Sequence, residues 1–264
     1  METIITAILI TGAIGFLCAA FLAIATKLMY VKTDARVEKL REILPGANCG
    51  ACGFSSCESY ANALVKDNAA TNLCPPGGEK VYKEINEVLD KNSGAGLTKK
   101  TATVHCLGDC DEVKDKLNYD GINTCFAAKQ LYGGQGACTY GCVGFGDCVP
   151  VCPSNAICIE KNLAKINPKK CNGCGLCLKV CPTKIISLEN EPVDVAVLCK
   201  NKEKGAIVKD KCNKGCIACN LCVKACPEDA IEVEEYLAII DYEKCNGCGK
   251  CIEVCIKKCI LART

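Results

Sequence analysis

Cysteine makes up 28 of the 264 residues. Four runs in the C-terminal half repeat a short spacing: Cys138-x3-Cys142-x5-Cys148-x3-Cys152-Pro153, Cys171-x2-Cys174-x2-Cys177-x3-Cys181-Pro182, Cys216-x2-Cys219-x2-Cys222-x3-Cys226-Pro227 and Cys245-x2-Cys248-x2-Cys251-x3-Cys255. Thiolates at this spacing are the ligands of cubane iron–sulfur clusters. The C-x2-C-x2-C loop wraps three corners of one cube, and the cysteine before proline reaches the other cube of a pair. Two C-x2-C knuckles also make a zinc site, but zinc does not call for the third and fourth cysteines or the proline.

The ferredoxin rule assigns ligands. Cys216, Cys219, Cys222 and Cys255 hold one cube, and Cys245, Cys248, Cys251 and Cys226 its companion, although Ile256 stands where proline follows the other runs. Cys171, Cys174, Cys177 and Cys152 hold another. Its neighbour departs from the pattern because Phe145 occupies the position matching Cys219, so Cys138 is the substitute, giving Cys138, Cys142, Cys148 and Cys181. A fifth group, Cys49-x2-Cys52-x4-Cys57-x16-Cys74, has Gly50 and Gly53 to let the loop wrap closely, and suits a [4Fe–4S] cluster, with zinc as the alternative. A sixth cube is expected from Cys106, Cys125, Cys199 and Cys212, with Cys110 competing for one place. Cys158 and Cys259 are expected to face the core as apolar residues, where a buried thiol behaves as a small hydrophobe. The spacing Cys212-x3-Cys216-x2-Cys219 matches radical S-adenosylmethionine enzymes, but Cys222 continues the frame and no barrel-sized region follows.

The elements that must position these residues are short. Residues 3–26 contain no charged side chain, and at 1.5 Å per residue they are long enough to span a bilayer. Only Glu2 precedes them, unlike the basic start of a signal peptide. Lys27, Lys32 and Arg36 follow, which places the C-terminal bulk in the cytoplasm, where thiols stay reduced. Cys18 lies within this span as an apolar residue. Helices are expected over 33–43, 58–70 and 79–90, then a linker at Asn92-Ser93-Gly94-Ala95-Gly96. From Thr101 on, the chain repeats at an offset of 74 residues, pairing Cys125 with Cys199, Cys138 with Cys212 and Cys171 with Cys245. Ala156–Ile159 and Ala230–Val233 read as strands.

The expected class is α+β: a single N-terminal transmembrane helix (1–32), a small α-rich 4Fe-4S domain (33–92), and tandem two-cluster ferredoxin-like modules at 101–190 and 191–264. The formal net charge of +2 gives no electrostatic case for nucleic acid. The single histidine, His105, argues against haem and Ser-His-Asp chemistry. No G-x-G-x-x-G or Walker A sequence is present, and Gly133-Gly134-Gln135-Gly136 leads into a cysteine loop as a turn. No catalytic residue is expected, and no cofactor beyond the clusters.

The order of parts resembles a known family. An apolar N-terminal helix precedes Cys49, Cys52, Cys57 and Cys74-Pro75-Pro76-Gly77-Gly78. Gly121-Ile122-Asn123-Thr124-Cys125 and Tyr140-Gly141-Cys142 follow, then the tandem ferredoxin runs. The whole chain is similar to the B subunit of the Rnf complex, an ion-translocating ferredoxin:NAD+ oxidoreductase of bacterial membranes, in its longer form. The resemblance implies that the chain takes electrons from reduced ferredoxin and passes them to membrane and flavin-bearing subunits. NAD+ reduction would be coupled to Na+ or H+ translocation. The chain would belong to a translocase without bond chemistry of its own. A membrane-tethered polyferredoxin of a hydrogenase or another reductase would share every motif. A zinc scaffold or a redox sensor with one labile cluster would share fewer.

Overall fold

The computed structural model describes residues 2–28, 34–91, 100–190 and 195–262. The expected linker at residues 92–96, the Lys32 flank and the junction at 191–194 lie outside them.

Helix α1 (Glu2–Leu28) is 27 residues of almost wholly apolar sequence, about 40 Å long at 1.5 Å per residue. Ile5, Ile10, Phe16, Phe21 and Ile24 are all exposed on it. A helix that is apolar all round belongs in a core or a bilayer. Among the described residues no helix registers as long and apolar enough to cross a membrane.

Three helices follow: α2 (Ala35–Ile43), α3 (Cys57–Lys66) and α4 (Gly78–Val88). Asp34 caps α2 by accepting from the Arg36 N–H. Ser56 and Ser59 form a reciprocal capping box at the start of α3. The helices close on Leu40, Tyr60, Leu64 and Ile85, all fully buried.

The remainder is built from short elements: β1 (Lys100–Val104), α5 (Cys125–Gln130), β2 (Ile157–Glu160), β3 (Leu163–Ile166), α6 (Leu176–Val180) and β4 (Ile186–Asn190). Then come β5 (Val195–Val197), α7 (Gly205–Lys211), α8 (Leu221–Ala225), β6 (Ile231–Glu234), β7 (Leu237–Ile240), α9 (Lys250–Glu253) and β8 (Ile260–Ala262). They form four two-stranded antiparallel sheets, β1–β4, β2–β3, β5–β8 and β6–β7. Two are tight hairpins. Lys161 and Asn162 turn one and Glu235 and Tyr236 the other, all with positive φ as a type I′ turn requires. The other two sheets pair the first strand of each half with its last, Val104 opposite Ile186 and Val197 opposite Ile260.

This register corrects the repeat. Position 186 matches 260 at the expected offset, so Val104 matches Val197, and Cys106 is the structural counterpart of Cys199. Cys138 still matches Cys212. The extra residues of the first half, which include Cys125, form a long loop between Cys106 and Cys138. This loop stitches the halves together: Val113 bridges Cys212, and Asn213 N–H donates to the Glu112 carbonyl at 2.9 Å. His105 adds a tie, its Nδ1–H donating to the Val197 carbonyl 2.9 Å away.

Candidate metal centres

In the N-terminal part, Cys57 opens α3 and its N–H donates to Asn48 Oδ1 at 2.8 Å, which fixes the Cys49–Cys52 loop against the helix. Tyr60 holds the returning segment. Its hydroxyl donates to the Ala70 carbonyl at 2.8 Å and accepts from the Leu73 N–H at 3.3 Å. Cys74 is thereby seated under the helices, and burial raises its thiol pKa, with Cys57, Cys52 and Cys49 adding to the rise. The four expected thiols therefore gather.

The C-terminal part gathers more. Burial pushes the Cys177 thiol up to about 12, reinforced by Cys174, Cys171 and Cys152. Cys222 is pushed up to about 11 by burial, then by Cys216, Cys219 and Cys255. Cys251 is raised by burial and by Cys245, Cys248 and Cys226. In each case the spacing groups together the thiols that bear on one another here.

The other two sets exchange one cysteine. Burial, then Cys142, Cys125 and Cys181, push Cys148 up to about 12. Cys125, rather than Cys138, is the thiol that bears on Cys148 and Cys142 here. Asp147 places it: its carboxylate accepts from the Cys125 N–H at 2.9 Å and from the Phe126 N–H at 3.0 Å, seating the start of α5 beside Cys148. Phe145, at the position matching Cys219, packs against this corner with its ring 5.5 Å from Tyr119. Cys138 instead faces Cys106, Cys199 and Cys212. It bears on the thiols of all three, and all four line one cavity between the halves. Strand register reveals this, with Cys106 and Cys138 from the first half matching Cys199 and Cys212 from the second.

The donor sets fit cubes on two counts. Each offers four cysteine thiols, and several thiol sulfurs already accept N–H bonds. Ala102 donates to Cys171 at 3.4 Å, Ala156 to Cys152, Ala230 to Cys226 and Cys216 to Cys199 at 3.3 Å, and Gly108 to Cys106 at 3.4 Å. Such bonds favour the thiolate form. Asn201, buried at 1 % exposure, adds a side-chain donor, its Nδ2 3.4 Å from Cys138 Sγ. Its spacing gave no hint of this role. Among the described residues no group of three or more His, Cys, Asp or Glu is placed to hold a single metal ion. Thiolates on one zinc, at about 2.3 Å from the metal, stand closer together than those at the corners of a cube.

Four cysteines fall outside these groups of thiols. Cys18 and Cys110 are exposed, and the Cys110 thiol turns to the Asp111 carboxylate. Cys158 is exposed rather than in the core, because Ile157 and Ile159 take the inward positions of β2. Cys259 is buried as expected, but beside other thiols. Its Sγ lies 3.6 Å from Cys255 Sγ, and hydrogen bonding from it depresses Cys255 to about 5 and Cys216 to about 6.

Residues 44–76 match the FeS family model for an Fe–S cluster. Residues 164–187 match Fer4, a 4Fe-4S binding domain, and 215–259 match Fer4_7, a 4Fe-4S dicluster domain. Over 261 residues the chain is 41% identical to the B subunit of the Na(+)-translocating ferredoxin:NAD(+) oxidoreductase complex of Acetobacterium woodii, covering 98% of this chain and 78% of that one. It is 36% identical to the B subunit of the ion-translocating oxidoreductase complex of Methanosarcina acetivorans, over 99% of both chains. The chain belongs to the family of Rnf B subunits. It is similar also to the B subunit of the proton-translocating ferredoxin:NAD(+) oxidoreductase complex of Clostridium ljungdahlii, at 39% identity over 98% of this chain and 91% of that one. As a member of the family it is an iron–sulfur electron-transfer subunit of an oxidoreductase.

Proposed function

We propose that this chain accepts electrons from reduced ferredoxin and relays them toward flavin-bearing membrane subunits for NAD+ reduction coupled to Na+ or H+ translocation. The reading is supported by the mutual proximity of the cysteine thiols, each buried thiol bearing on the others of its group, which we read as six four-thiol cages that leave out Cys18, Cys110, Cys158 and Cys259.

The ligands would be Cys49, Cys52, Cys57 and Cys74; Cys125, Cys142, Cys148 and Cys181; Cys152, Cys171, Cys174 and Cys177; Cys106, Cys138, Cys199 and Cys212; Cys216, Cys219, Cys222 and Cys255; and Cys226, Cys245, Cys248 and Cys251. When bound, [4Fe–4S] cubes supply reversible one-electron chemistry at low potential. The protein's contribution would be to bind as thiolates, with the thiol protons lost to solvent, to bury the cages and to point N–H donors at the sulfurs. Adjacent cages touch one another's electrostatics. Cys142 bears on Cys106, Cys216 on Cys199, and Cys49 on Cys174. The two cages of each half share one core, so the neighbours run from the C-terminal cages through the one between the halves to the Cys49–Cys74 cage. Only a short segment separates the latter from α1. We propose α1 as the membrane anchor on the uncharged run of residues 3–26 and on membership of the family, with the C-terminal bulk cytoplasmic.

Anaerobic purification in mild detergent from native membranes tests the reading. The expected product contains flavin-bearing partners and reduces NAD+ with ferredoxin. A clean complex with neither would place the chain in a different membrane redox enzyme.

A further inference from the structure

We propose that Cys259 is a positioning residue for the cube held by Cys216, Cys219, Cys222 and Cys255: its thiol stays outside the ligand set and donates its S–H to the ligand sulfurs, raising that cube's potential. The inference rests on the reading of this cage as a cluster site.

Cys259 is 2 % exposed, its sulfur is 3.6 Å from that of Cys255, and it lines one small cavity with Cys216 and Cys255. The cage has its four thiols without it. Cys216 and Cys255 bind iron as thiolates and then carry no proton, so the only S–H in this group of three is on Cys259, and both neighbours can only accept. The backbone leaves it little freedom. Its carbonyl accepts from the Leu198 N–H at 2.7 Å, immediately before β8 begins.

The first half supplies an internal comparison. The matching position is Ile185, equally buried at 2 % and without a donor. A donor aimed at a ligand sulfur offsets the negative charge gained on reduction, and cluster potentials follow hydrogen bonds to their sulfurs. Cys259 thus gives one cube of the second half a bond that its counterpart lacks at that position.

The test uses the full-length, cluster-loaded chain under anaerobic conditions, with Cys259→Val, Cys259→Ala and Cys259→Ser. Iron content is measured first, then each midpoint by redox titration followed by electron paramagnetic resonance. The expected result is unchanged iron in all three. One midpoint moves to more negative potential in the Val and Ala variants, and stays near its original value in the Ser variant, which keeps a donor. Unmoved midpoints in the Val and Ala variants overturn the inference. So does loss of about four irons from all three variants, which would make Cys259 a ligand. Iron content of the unsubstituted chain separates the two readings. A cage without a cube there refutes the cluster assignment itself, whereas a cube with an unmoved potential refutes only the role of Cys259.

Discussion

The proposed ligand sets exchange Cys125 and Cys138 between two cages relative to the assignment that spacing suggests, and paired substitutions distinguish the alternatives. Residues of one cage act as a unit, so their losses do not add, whereas losses from separate cages do. Cys125→Ala combined with Cys142→Ala is expected to remove about four irons, as either alone would, and Cys138→Ala with Cys142→Ala about eight. The reverse pattern, measured as iron per chain, would restore the set Cys138, Cys142, Cys148 and Cys181. The exchange explains what was legible at this scale. The C-x2-C-x2-C loops declare themselves because each encloses three corners of a cube within a few residues. Cys125 is recruited from a distant loop by the Asp147 carboxylate, and the Cys106–Cys199 match depends on which strands pair. No local spacing encodes either.

Among the elements, the hairpins were legible because β2–β3 and β6–β7 are local, following each Cys-Pro. The β1–β4 and β5–β8 pairs were not, since they join the two ends of each half. Gly173 shows how tightly one such end is packed. It has φ of +69°, and an added Cβ would lie 2.3 Å from the Lys100 carbonyl oxygen on β1. Gly173→Ala is therefore expected to strain the Cys171–Cys177 loop by about 1–2 kcal/mol from the left-handed backbone alone, with the clash added. The loaded variant should lose one cube's iron faster than the parent under a chelator, and equal rates would show that the loop has room. At the other end of the chain, the role of α1 is testable by removal. A chain beginning at Asp34 is expected in the aqueous phase with its clusters, while the full chain requires detergent. Identical partitioning would remove the anchor assignment.

Across the whole molecule, apolar cores are small and cages are many. The first half packs Ala102, Ile157, Ile185 and Ile186 around Cys148 and Cys177, and the second packs Val195, Ile231 and Ile260 around Cys216, Cys222 and Cys251. Small cores of this kind depend on bound metal for stability. The cage between the halves draws two cysteines from each, so a cube there would tie them into one conducting unit as well as one fold. Without it the series of neighbouring cages would break between the halves. The count of cubes is thus the central claim, and iron content measured with protein concentration by amino-acid analysis tests it most directly on the anaerobically purified chain. Six cubes give about 24 irons per chain. A value of about 20 in fully active material would remove the cube between the halves and contradict the continuous relay.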